Sequence, residues 1–145
     1  MDKGVYSLIF HNPACTVTVG ALGEIGFRKG WHIYIGSALG AGGLKRLERH
    51  IALAENRDKR PKWHVDYLLI NEKFPLRYAV SAATPLRLEC LLASALGREH
   101  VPLFGCSDCG CPSHLFYRET DPVSEVREVF RCLDLTPVTK TIKNP

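Results

Sequence analysis

Hydrophobic and polar positions change period several times along this chain, and each change marks an element. Residues 4–10 and 16–20 run apolar or alternate, rich in Val, Ile, Tyr and Thr, with the turn signal His11-Asn12-Pro13 between them. The pair predicts an antiparallel hairpin. Gly20, Gly23, Gly26 and Gly30 punctuate a connection into Trp31-His32-Ile33-Tyr34-Ile35-Gly36, a third strand or extended segment that ends on glycine. Gly40-Ala41-Gly42-Gly43 then opens a helix in which Leu44, Leu47, Ile51 and Ala54 recur at helical spacing. At about 100° per residue, Arg46 and His50 stand roughly 40° apart on another face, where both can address one ligand. Residues 63–70 have a period that fits a short helix or a buried strand, the helix being preferred. Residues 76–83 predict a further strand. Thr84-Pro85 supplies an N-cap and first-turn proline for a helix carrying Leu88, Leu91, Leu92 and Ala95 and ended by Gly97. Glu89 lies about 100° from Leu88, at the edge of that apolar stripe, from which it can point into a cleft. Residues 105–113 are too rich in Gly, Cys, Ser and Pro for regular structure, 114–118 predict a short strand, and 123–133 a last helix. The expected fold class is mixed α/β (α+β). It is a small, mainly antiparallel three-stranded sheet from the Gly4, Thr16 or Trp31, and Leu76 segments, flanked by the Leu44 and Leu88 helices, with a C-terminal strand and helix.

Composition narrows the class. With 145 residues, 46% of them hydrophobic, the chain reads as one domain over 1–145 with a sizeable core. Twelve glycines, nine prolines and 23% charged residues exclude a collagen-like or disordered chain. The net charge of +4 permits a nucleic-acid partner without defining one. No apolar run approaches the roughly 18 residues of a membrane span, and the N-terminus lacks a leader pattern, so the expectation is a cytoplasmic protein with no membrane association. The six cysteines, Cys15, Cys90, Cys106, Cys109, Cys111 and Cys132, then read as thiols or a metal site before disulfides.

Five positions fall in an order that carries chemistry. Gly4-Val5-Tyr6 near the start of one strand and Tyr34-Ile35-Gly36 at the end of another, then Arg46 and His50 on the next helix and Glu89 on a later one, resemble the GIY-YIG nuclease superfamily. The resemblance runs from Gly4 to about Leu96. The blocks Trp63-His64-Val65-Asp66-Tyr67-Leu68-Leu69 and 104–116, with the patterns WHxDYLL and SDCxCxSHLF, are similar to an uncharacterised prokaryotic branch, sometimes fused to base-excision repair enzymes.

That resemblance implies metal-dependent hydrolysis of phosphodiesters in DNA, in a repair setting, by a Mg²⁺-dependent endonuclease. Such hydrolysis needs an in-line water, a group to take its proton, and positive charge for the developing oxyanions. Carried over by position, Glu89 is the ligand for Mg²⁺ or Mn²⁺, since one carboxylate with several retained waters suits a hard cation. Arg46 clamps the phosphate, with Gly36, Lys45 and Arg49 as substrate contacts. Tyr6 is the base or water-positioning group, Tyr34 its neighbour, and His50 stands where relatives hold His or Tyr. A tyrosine, with an ordinary pKa near 10, needs help to act as a base, whereas a histidine near 6.5 does not, and the choice between them stays open. Arg46 stands twelve residues after Tyr34 where ten are usual, which makes Arg49 its rival. Val101 falls where the superfamily commonly has asparagine. The second function class is therefore a catalytically drifted nucleic-acid-binding or repair-adaptor domain on the same scaffold.

Taken singly, each residue has an ordinary role: a strand tyrosine packs in the core, and a helical Arg or His faces solvent. His64, Asp66, Asp108 and His114 are accessory candidates on the same terms. Cys106, Cys109, Cys111 and His114 could enclose structural Zn²⁺, but their compressed spacing favours a packed, metal-free turn, with Asp108 or His114 nearer the cleft than the thiols. Cys15, Cys90 and Cys132 read as packing residues.

Overall fold

The computed structural model describes residues 2–105 and 111–142. Its elements are β1 (Gly4–Asn12), β2 (Cys15–Thr18), β3 (Glu24–Phe27), β4 (Gly30–Ala38), α1 (Lys45–Asn56), α2 (His64–Leu69), β5 (Leu76–Ala83), α3 (Glu89–Leu96), β6 (Leu115–Arg118), α4 (Val123–Cys132) and β7 (Val138–Thr141). Five strands form an antiparallel sheet in the order β6-β4-β1-β5-β7, and β2 and β3 form a separate two-stranded ribbon.

β1 is central because every residue from Gly4 to Phe10 is buried, as a strand covered on both faces must be. Alternate side chains feed two cores. Tyr6, Leu8 and Phe10 pack with Leu47 and Ile51 of α1, Val65 and Leu68 of α2, and Val17 and Phe27 of the ribbon. Val5 and Ile9 pack with Ile33, Ile35, Val80 and Phe116 of the sheet, Leu92 and Leu96 of α3, and Phe130 of α4. Arg118 ties the second layer together, forking onto Glu125 of α4 at 2.8 and 2.9 Å and donating to the Leu96 carbonyl at the end of α3.

The structure bears out the α/β class, the helices at Leu44 and after Val123, the short helix at residues 64–69, and the strands at 76–83 and 115–118. It corrects the sheet, which has five strands rather than three. Residues 16–20 do not pair with β1. The nine-residue β4 takes that edge in a continuous register from Gly4↔Ala38 to Asn12↔Gly30, a longer ladder than the four residues of β2 could offer. The glycine-punctuated connection contains β3, whose partner is β2, starting at Cys15↔Phe27. β7 escapes a periodicity argument because Val-Thr-Lys-Thr is mostly exposed and lies on an edge.

α3 begins at Glu89 rather than beside Thr84, whose hydroxyl instead accepts the Leu86 N–H in a local turn. Its buried face is Glu89, Leu92, Ala93 and Leu96, one position off the predicted stripe, and Leu91 is exposed. Glu89 thus sits on the inward face, not at its edge. Among the described residues, no helix is long and apolar enough to cross a membrane.

Candidate active site

A cleft of ≈ 460 Å³ opens where β1 begins and β4 ends, and Tyr6, Tyr34, Gly36, Arg46, His64, Glu89 and His114 all line it. The sheet brings the tyrosines there. Tyr6 faces Gly36 across the β1–β4 register, Tyr34 lies opposite Leu8, and the two phenol rings stand 6.5 Å apart.

Behind Tyr6 runs a buried polar file. The Tyr6 hydroxyl lies 2.9 Å from His50 Nε2, and His50 Nδ1 lies 3.7 Å from Asp66 Oδ1. A carboxylate can only accept, so the tautomer with its proton on Nδ1 faces Asp66 and leaves Nε2 to accept the Tyr6 O–H. Asp66 also builds the local structure. Its Oδ2 accepts the Lys62 and Trp63 N–H groups at 2.8 and 3.1 Å, reaching back over the first turn of α2. Burial pulls His50 down to about 4; Asp66 opposes this, while Arg46 and Arg49 add to it. Burial chiefly, with the neighbouring Tyr34 and Asp66 and against Arg46, raises Tyr6 well above the usual phenol range. At neutral pH the pair is therefore a neutral phenol donating to a neutral imidazole.

Arg46 is held from two sides. Its Nη1 donates to the Ser37 carbonyl at 3.0 Å, and its guanidinium lies 4.7 Å from the centre of the Trp63 ring. Trp63 is 47% exposed and lines the cleft, a placement that its aromatic-rich segment did not signal. Arg46 also lines a neighbouring pocket of ≈ 200 Å³ made by residues 40–43 and Arg49. Arg49 thus stands beside the cleft, on an exposed face of α1. Lys45 is exposed and does not line the cleft.

Glu89 is 7% exposed, with Oε1 3.6 Å from Arg87 and Oε2 buried without a hydrogen-bond partner among the described residues. His64 Nδ1 accepts the Gly105 N–H at 2.8 Å, which puts its own proton on Nε2, and burial lowers its pKa. Val101 is half-buried against the core and does not line the cleft. Asp108, Cys106 and Cys109 lie outside the described residues.

Residues 5–135 match the model of a domain of unknown function, DUF123. The chain belongs to this family. No curated protein and no solved structure matches it. In this DUF123 chain the cysteines depart from expectation, for Cys90 and Cys111 form a disulfide across a sequence separation of 21. Cys90 is thus not a simple packing residue, and Cys111 is not a free thiol. Their sulfurs and a ring nitrogen of His114 lie within 4.8 Å of one another, a grouping able to hold a metal. Cys15 is half-buried and Cys132 exposed.

Proposed function

We propose that the cleft hydrolyses phosphodiesters in DNA with a divalent cation held at Glu89. One observation carries this reading: Tyr6, Tyr34, Arg46 and Glu89, spread over more than half of the chain, line a single cleft. The donor set fits Mg²⁺ or Mn²⁺, because a carboxylate oxygen that is buried yet unpartnered is costly unless a cation uses it. A bound cation would supply Lewis-acid charge to the phosphoryl and leaving oxygens.

The chain's own groups account for the rest. Arg46, with its guanidinium plane fixed by Ser37 and Trp63, presents a preorganised fork to two phosphate oxygens. Arg49 beside the glycine loop extends positive charge along the strand to be bound. A raised pKa denies Tyr6 a standing phenolate. It can still take a proton from an attacking water while passing its own to His50 Nε2, with Asp66 behind the imidazole to stabilise the imidazolium that forms. Tyr34 lines the same cleft with its ring 6.5 Å from that of Tyr6, as the neighbour of the water-positioning phenol.

The test is incubation of the purified chain with labelled duplex, nicked, flapped and branched DNA and Mg²⁺ or Mn²⁺. Cleavage lost in Glu89→Ala supports the reading. Absence of cleavage by wild type across the panel, with salt-sensitive binding retained, replaces it with the binding or repair-adaptor role.

A further inference from the structure

We infer that Cys90, Cys111 and His114 form a binding site for a soft divalent metal, Zn²⁺, when the Cys90–Cys111 bond is open. The three side chains come from the first turn of α3 and from the segment leading into β6, elements with no sequence proximity. They converge nonetheless: Cys90 Sγ stands 3.9 Å from His114 Nε2, and all three ligand atoms lie within 4.8 Å. Around tetrahedral zinc, with bonds of about 2.3 Å to sulfur and about 2.0 Å to nitrogen, neighbouring ligand atoms are about 3.5–3.8 Å apart. The imidazole is already close to that spacing from Cys90, and the two sulfurs need only separate.

The donor set speaks for its metal: two thiolates and an imidazole select zinc over Mg²⁺, which takes oxygen ligands. This separates the site from the hard carboxylate of Glu89, one residue before Cys90, and makes it independent of the hydrolytic reading. An ion can reach it from two sides. Cys90 and Cys111 line a pocket of ≈ 250 Å³ with Ala93, Ser94 and Phe116, and His114 lines the main cleft. The placement also gives it a structural consequence, since the metal would fasten the start of α3, which carries Glu89, to the segment that carries His114.

The balance is simple. A dithiol reductant of the thioredoxin class delivers two electrons and two protons to the disulfide, leaving two thiols and an oxidised dithiol. Zinc then displaces two protons, one from each thiol, while neutral His114 binds through its lone pair.

The experiment reduces the full chain with a dithiol, removes the reductant anaerobically, and titrates with Co²⁺ as a spectroscopic probe and then with Zn²⁺. One equivalent of Co²⁺ should produce sulfur-to-metal charge-transfer absorption in the near ultraviolet, bleached by one equivalent of Zn²⁺. Cys90→Ser and Cys111→Ser should abolish the band, and His114→Ala should weaken binding at least tenfold. The double variant Cys106→Ser/Cys109→Ser should keep Cys90-dependent binding. The wild-type titration needs no variant to fold: absence of the band when the Cys90 and Cys111 thiols are shown to be free overturns the inference. So does a band of undiminished strength and affinity in Cys90→Ser.

Discussion

Gly36 lies directly across the sheet from Tyr6, and a Cβ placed on it would come within 2.5 Å of the Tyr6 ring. The missing side chain is the space in which the phenol lies. Gly36 was expected to contact substrate, and it does line the cleft, but its steric role is to let Tyr6 turn its hydroxyl to His50.

Gly36→Ala should therefore displace Tyr6. Overpacking a well-filled site costs about 1–3 kcal/mol, so denaturant unfolding should show a loss of that size. In the background Tyr6→Ala the same substitution should cost almost nothing, and a double-mutant cycle checks this. A cost that persists without the ring would place the strain elsewhere.

Two buried imidazoles should govern stability in acid. His32 is fixed by Asn12, whose amide donates to the Pro13 and Arg28 carbonyls and whose oxygen accepts His32 Nδ1–H at 2.7 Å. Burial brings His32, like His50, to about 4, with Arg28 adding to the shift. Both folded values lie below the unfolded value of about 6.5, so the unfolded chain binds more protons between these limits. The stabilisation is complete above pH about 6.5, falls as pH drops through about 4, and then levels off. Each imidazole contributes on the order of 3 kcal/mol to the fall. Urea midpoints from pH 7.5 to 4 should trace it, and His50→Gln should flatten it by about half.

Proton transfer makes a kinetic counterpart. If Tyr6 relays through His50, Tyr6→Phe should lower metal-dependent cleavage by about 10²–10⁴-fold with folding intact. His50→Gln, which keeps a hydrogen-bond partner but cannot take the proton, should fall in the same range. Single-turnover rates check this, and a His50→Gln rate equal to wild type would remove the imidazole from the relay.

Glu89→Gln should separate stability from function. Removing the charge of a carboxylate whose Oε2 is buried without a hydrogen-bond partner among the described residues, and whose ion pair with Arg87 is long and solvent-exposed on the arginine side, should stabilise the metal-free chain by about 1 kcal/mol. A saturating cation at about 100 times its Kd should stabilise wild type by roughly 2.7 kcal/mol and the variant by nothing. Thermal unfolding in chelator and in Mn²⁺ measures both.

Arg46 and Arg49 should behave differently. Arg49→Ala should weaken DNA binding and reduce the slope of log K against log salt by about 1. Arg46→Lys keeps the charge, so the slope should hold, but it loses the fork and the stacking on Trp63, and cleavage should fall at least tenfold. Binding titrations at several salt concentrations distinguish the two.

The sequence by itself determined the elements whose burial repeats in a regular period. Leu47 and Ile51 on α1, the all-buried run of β1, and Gly97 at the end of α3 were legible because local sterics and the hydrophobic effect act there at short range. Grouping Tyr6, Tyr34, Arg46, His50 and Glu89 as one candidate site rested instead on the resemblance of their order to a nuclease superfamily, since local periodicity only places each of them on an element.

Tertiary structure alone decided pairing and depth. Which strand borders β1 is a competition between ladders distant in sequence, and β4 wins over β2 because it offers the longer one. Helix α3 rolled by one position because Leu92, Ala93 and Leu96 meet the α4 side of the sheet, which carried Glu89 inward and left Leu91 in solvent. Trp63 over Arg46 and Cys90 against Cys111 and His114 are contacts between segments that no local period relates. The shift of His50 to about 4 likewise comes from desolvation by neighbours spread along the chain, a quantity that exists only once they have packed.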